Sequence, residues 1–179
     1  IESFRENNVP YHGVELTKEE EFQIFTWFDY VLAIQKHDHE KISARMGRER
    51  ALLVPHAVTF PRKKLKSIVQ HVGYIASEYL PNVHAIVFFI ENVWPSLYHD
   101  FNLTLNIYGN VHLLLPESIA KYPGVKIHGF TRDLNAAYEQ CDMIINRVTT
   151  GAGLKIKSVD ALANGVPLIT TTHGAAGME

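Results

Sequence analysis

The stretch from Asp142 to Thr171, DMIINRVTTGAGLKIKSVDALANGVPLITT, decides the fold. Asp142 to Asn146 is a short apolar run that reads as a buried strand. Arg147 to Gly153 is a glycine-containing loop. Leu154 to Ala163 carries a helical pattern, and Asn164-Gly165 ends it, because glycine enters the left-handed cap without a Cβ penalty. Val166 to Thr171 is a second strand. Strand, loop, helix, loop, strand is a right-handed βαβ unit, so its two strands run parallel.

The same alternation extends upstream. Ser67 to Tyr74 (SIVQHVGY) is a β-branched run closed near Gly73. Pro81 sits at a first helical position, followed by Val83, Ile86, Val87, Ile90, Val93, Trp94 and Leu97, whose spacing predicts one continuous helical face. Leu103 to Tyr108 is a strand, Pro116 to Tyr122 a short helix and Val125 to Ile127 a short strand. Arg132 to Gln140 is helical, with Leu134, Ala137 and Tyr138 on its buried side. The fold class is therefore α/β, a Rossmann-like parallel sheet with helices on both faces. In such sheets ligands bind at the carboxyl ends of the strands. Those ends are the loops Gly73–Pro81, Gly109–Val111, Gly129–Arg132, Arg147–Gly153 and Thr172–Gly177.

The first third differs. Glu19 to Phe28 is an amphipathic helix, Asp29 to Ile34 a strand, His37 to Met46 a helix and Ala51 to Val54 a strand. Trp27, Phe28 and Tyr30 are expected in a core. Ala57 to Lys66 (AVTFPRKKLK) combines a proline with a basic cluster and reads as a linker. Two strands are marginal alone, so residues 1–60 read as the end of a second α/β domain plus linker, and residues 61–179 as the main domain.

Composition narrows the function. Of 179 residues, 46% are apolar and 20% charged, which excludes disordered, collagen-like and coiled-coil classes. Seventeen basic against nineteen acidic residues leave a net charge of −2, so no nucleic-acid footprint is present. Cys141 is the single cysteine, which excludes an internal disulfide and a cysteine-rich zinc site. The longest apolar runs, such as Ala85 to Ile90, are far too short to span a bilayer.

Candidate chemistry concentrates after the strand at Asp142–Asn146. Thr149, Thr150, Gly151 and Gly153 precede a helix, where backbone N–H groups face an anion. Lys155 and Lys157 in the first turn oppose the helix dipole, which a bound phosphate would offset. The other reading is a tight turn carrying two solvated lysines. Asp160 either accepts hydrogen bonds from ribose hydroxyls or forms an intrahelical ion pair. In His37-Asp38-His39-Glu40 only His37 and Glu40 share a helical face, so a solvated helix start is favoured over a metal site. Arg62, Lys63, Lys64 and Lys66 read as a solvated linker, with contact to an anionic lipid-linked acceptor as the other reading. Cys141 is a structural thiol. His173 either lines the cleft or lies on the surface.

Taken in order, several segments resemble the donor-binding domain of group 1 (family four) glycosyltransferases, which have the two-domain GT-B fold. They are His71-Val72-Gly73, Pro81-Asn82, Trp94-Pro95-Ser96-Leu97, Leu105-Asn106-Ile107-Tyr108-Gly109 and Gly129-Phe130-Thr131-Arg132-Asp133-Leu134. Gly151-Ala152-Gly153-Leu154-Lys155-Ile156-Lys157 and Asp160-Ala161-Leu162-Ala163-Asn164-Gly165-Val166-Pro167 complete the set. Asp29 to Gln35 and Val54-Pro55-His56 resemble the closing strands of the family's acceptor domain.

The resemblance implies retaining transfer of a hexosyl or related group from a nucleotide-diphosphate sugar, UDP- or GDP-linked, to a glycan, lipid-linked or other acceptor. It implies no cofactor and no metal, because basic side chains and a helix amino terminus stabilise the departing diphosphate. By position, Gly73 lets the backbone approach the diphosphate. Gly151, Gly153, Thr149 and Thr150 meet donor phosphate or sugar. Lys155 or Lys157 is the cation, and Asp160 stands where the family has a glutamate for the ribose. Phe130 to Arg132 lie beside the base. Thr149 or Thr150 replaces a common glutamate, and Pro81-Asn82 lies where many members have a lysine. The implied setting is polysaccharide biosynthesis in the cytoplasm, with peripheral membrane contact through the rest of the protein. Residues 61–179 then form the donor domain, ending earlier than family members do, and this segment alone is expected to be inactive. Other readings are a nucleotide-sugar epimerase of the same fold and a non-catalytic interaction module.

Overall fold

The structure is a computed structural model that describes residues 16–59, 67–151 and 153–178. The basic run from Arg62 to Lys66, and Ala152, lie outside them. The first elements are α1 (Lys18–Phe25), β1 (Val31–Ala33), α2 (Lys36–Met46) and β2 (Ala51–Leu53). Thr17 and Glu20 close the start of α1 as a reciprocal capping box. β1 and β2 pair in parallel, and α2 packs on one face of the pair through Ile42 against Ala33 and Ala51. The expectation that Trp27, Phe28 and Tyr30 are core is overturned: they are 73%, 55% and 61% exposed. The small core is closed by Phe22 and Phe25 of α1 and Ile42 and Met46 of α2 against Ala33 and Ala51, and these three rings lie outside it.

The main sheet contains β3 (His71–Ile75), β4 (Thr104–Tyr108), β5 (Val125–Gly129), β6 (Met143–Asn146) and β7 (Leu168–Thr170). All pairs are parallel, in the order β5-β4-β3-β6-β7. Its helices are α3 (Leu80–Asn92), α4 (Trp94–Phe101), α5 (Leu134–Glu139) and α6 (Ile156–Ala163). Successive strand residues face opposite sides. Val72, Tyr74, Leu105, Ile107 and Ile145 meet α3 and Trp94 on one face. Ile75, Tyr108 and Ile144 meet Ala137, Tyr138, Cys141 and Ala161 from the α5–α6 side on the other. The predicted α/β class, with helices on both faces, is the observed one. No helix among the described residues is long and apolar enough to cross a membrane.

Two local differences have physical causes. The single helix expected from Pro81 to Leu97 is two. Pro95 has no N–H to donate to Glu91, so α3 closes where Val93 N bonds Phe89 O at 2.9 Å, and α4 restarts. Trp94 fills the junction, fully buried, its Nε1 donating to Pro123 O at 2.8 Å. The predicted stop at Asn164-Gly165 is present as a Schellman cap, with Gly165 at φ 66° and bonds from Gly165 N to Leu162 O and Val166 N to Ala161 O.

The second difference concerns Gly73. It lies mid-strand in β3, opposite Asn106 and Ile144, not in the loop at the strand's end. A Cβ there would sit 2.4 Å from Cys141 Sγ and 2.6 Å from Ile144 Cδ1. Its lack of a side chain is required by packing, and its place within the strand corrects the expectation that it opens the loop after β3. Gly73→Ala is therefore expected to destabilise the fold by about 1–3 kcal/mol in urea denaturation. Cys141→Ala in the same chain recovers part of that loss, and an unchanged Gly73→Ala cost in the Cys141→Ala background would refute this account.

Candidate functional site

The chain leaves β3 toward β4 and β5 and then returns to β6 on the opposite side of β3. The connection after β3 lies over one face of the sheet and that after β6 over the other. The two loops therefore part at the carboxyl ends and leave a crevice at the reversal of strand order. A cleft of about 250 Å³ occupies this place. Ser77, Tyr79 and Asn82 wall it on the β3 side, and Thr150, Gly151, Lys155 and Lys157 on the β6 side.

The glycine loop is shaped by backbone torsion. Gly151 and Gly153 have φ of 102° and 72°, and a Cβ on either would meet nothing within 4 Å. Glycine is needed here for its left-handed backbone, not for room. The turn presents both carbonyls to Lys155 Nζ, at 3.3 Å for Gly151 O and 2.7 Å for Gly153 O. α6 consequently starts at Ile156, with Lys155 as its N-cap, two residues later than the periodicity predicts.

Lys157 reaches across the crevice. Its Nζ donates to Asn82 Oδ1 and lies 5.8 Å from the centre of the Tyr74 ring. Burial draws its pKa down to about 8, and the Lys155 charge adds a smaller push in the same direction. Burial also lowers the pKa of Lys155, against an opposing pull from Asp38. The two lysines are thus not a solvated pair.

Behind the loop, Asn146 is fully buried. Its Nδ2 donates to Ser158 Oγ at 2.7 Å, and Ser158 Oγ donates to Gly174 O at 2.9 Å. This relay pins α6 to β6 and to the turn after β7. Asn146 Oδ1 and His173 Nε2 are buried with no hydrogen-bond partner among the described residues.

Of the residues singled out by sequence, Thr150, Gly151, Lys155 and Lys157 come together in the crevice walls. Thr149, Gly153 and Asp160 lie nearby but outside those walls. Burial raises the Asp160 carboxyl's pKa, with His56 pulling it back; burial also raises that of Tyr138 on α5, to which the Asp160 charge adds. Phe130, 66% exposed, and Arg132 follow β5, the edge strand two places from β3. At about 4.8 Å per strand β5 itself runs roughly 10 Å from β3, and neither residue is among the crevice walls. Asn82, Ser77 and Asp38 are the residues that sequence reading misses as site components. Asn82 and Lys157 are 75 residues apart, and no spacing rule connects them.

Lys157 has a defined energetic signature. Its folded pKa of about 8 lies below its ordinary 10.5. Between these values the unfolded chain binds more protons, so stability rises with pH across that window. Lys157→Met is expected to be more stable than the parent at pH 7, with the difference shrinking from pH 8 to pH 10 in urea melts. A difference constant across that range would count against a buried ammonium.

A family model described as glycosyl transferases group 1 matches residues 69–179. An uncharacterised 44.6 kDa protein in the cps region of Klebsiella pneumoniae is 26% identical over 160 residues, covering 84% of this chain and 41% of that protein. TarM of S. aureus superposes with a TM-score of 0.63 at 15% identity, over 93% of this chain and 35% of TarM. Anabaena HepE, solved with UDP and glucose, superposes at 0.62 and 14% identity, over 97% of this chain and 55% of HepE. The chain thus spans about a third to about half the length of these relatives. The structural likenesses establish the fold, and the family match covers the whole main sheet: the chain belongs to the group 1 glycosyltransferases.

Proposed function

We propose that residues 61–179 bind a nucleotide-diphosphate sugar and that the whole protein transfers its sugar, with retention, to a glycan or lipid-linked acceptor. Residues 1–60 are then the acceptor-domain side and linker, and this segment alone does not turn over. The observation that carries the reading is the pair of partly desolvated lysines in the crevice at the reversal of strand order. Among the described residues, the hydrogen-bond partner of Lys157 is a neutral amide, so its positive charge is left uncancelled.

The chemistry asks for such a charge. Breaking the glycosidic bond develops negative charge on the departing diphosphate. A preorganised cation in a water-poor site stabilises that charge more than a solvated one does. Lys157 and Lys155 meet the phosphates, and the amino terminus of α6 adds its dipole. Gly151, Gly153, Thr149 and Thr150 face donor phosphate or sugar. Asp160 takes the ribose hydroxyls, and the donor extends along the carboxyl ends toward Phe130 and Arg132. HepE binds UDP, which makes UDP the first nucleotide to try, with GDP second. The cps-region relative supports polysaccharide biosynthesis as the setting.

A diphosphate needs Lys157 protonated, so affinity falls as pH rises through about 8. The test is titration of the full-length chain with UDP, GDP and ADP, followed by the thermal midpoint at pH 7 and pH 9. The expected result is a rise with one diphosphate, larger at pH 7. Lys157→Ala and Lys155→Ala each weaken binding roughly tenfold or more. No midpoint change with any diphosphate at either pH would sink the donor reading.

A further inference from the structure

We infer that Asn82 is a positioning residue, whose side-chain amide holds the Lys157 ammonium in the crevice without cancelling its charge. The inference rests on reading the crevice as the diphosphate site. Asn82 lies in the first turn of α3 and is 5% exposed. Both ends of its amide are engaged. Nδ2 donates to Ser77 O at 3.1 Å and approaches Ser77 Oγ at 3.4 Å. A carbonyl only accepts, so this bond fixes the amide's orientation and leaves Oδ1 facing Lys157. The Asn82 backbone carbonyl in turn accepts from Tyr74 OH at 2.7 Å. The residue is thereby anchored to the core of β3 through Tyr74 and to the loop after β3 through Ser77.

An amide oxygen suits the task. An ammonium has three N–H donors. Asn82 engages one, among the described residues, and the others remain for a phosphate. A carboxylate in the same place would hold the lysine equally well but neutralise it and repel the ligand. The titratable groups acting on Lys157 are Lys155, at the N-cap of α6, and Tyr74, on β3, whose hydroxyl burial keeps neutral. The first turn of α3 adds no acidic side chain.

Two substitutions separate positioning from mere packing. In the full-length protein, the Lys157 pKa is read by NMR of 13C-labelled lysine, with Lys157→Met assigning the signal. Asn82→Asp, isosteric, is expected to raise that pKa and to weaken UDP binding at pH 7 roughly tenfold or more. Asn82→Ala is expected to lower the pKa, because an acceptor of the charged form is lost, and to move the alkaline fall in UDP affinity to lower pH. A folding defect does not drive one pKa in opposite directions. Shifts in the same direction, or none, overturn the inference. Where Asn82→Ala does not fold, Asn82→Asp decides, read at a temperature where circular dichroism and its thermal midpoint show it folded: a raised pKa supports the hold, and an unmoved one removes it. Opposite shifts in a protein that binds no diphosphate keep the Asn82 hold and remove only the donor reading.

Discussion

The contact between the Lys157 ammonium and the Asn82 amide oxygen is the constraint on which the candidate site depends. An ammonium withdrawn from water is unfavourable, and the usual remedy is a carboxylate partner. Here the partner is neutral, so the cost of desolvation is only partly offset and the charge remains available. The arrangement is tolerable because the surroundings are rigid. Tyr74 lies beneath the ammonium, Ser77 holds the amide, and Asn82 begins a helix buried along one face. Stability is spent on a cation that the fold itself does not use.

Sheet topology creates the place for that contact. β3 has β4 on one side and β6 on the other, and the two following connections depart over opposite faces. Asn82 approaches from the first connection and Lys157 from the second. The helix carrying Lys157 is held from behind by the Asn146–Ser158–Gly174 relay and ended by the Schellman cap at Gly165. Gly73, with no side chain, lets Cys141 and Ile144 pack closely on the α5–α6 face of β3. The two lysines therefore converge through backbone architecture, although their charges repel.

Within the loop, Lys155 has a different part. It closes the turn by binding the carbonyls of Gly151 and Gly153. Its charge then faces Asp38 of α2 on one side and Lys157 on the other. One lysine shapes the glycine turn while the other reaches across to α3. Two residues apart in sequence, they do unlike work because one precedes the helix and the other lies within it.

The sequence by itself determined the order of elements, the parallel α/β class, the helix stop at Asn164-Gly165 and the concentration of candidate chemistry at Thr150–Lys157. Each of these is written in signals a few residues long: strand and helix periodicity, a glycine cap, a glycine loop before a helix. The ordered motifs also pointed to the family. Only the tertiary structure decided which residues meet. It placed Asn82 against Lys157, put Gly73 inside a strand against Cys141, left Phe130 and Arg132 out of the crevice walls and exposed Trp27, Phe28 and Tyr30. The reason is that local periodicity states which face a residue occupies within its own element, whereas its neighbours across elements follow from strand order. That order is set by how the whole chain buries its apolar faces, and no short segment contains it.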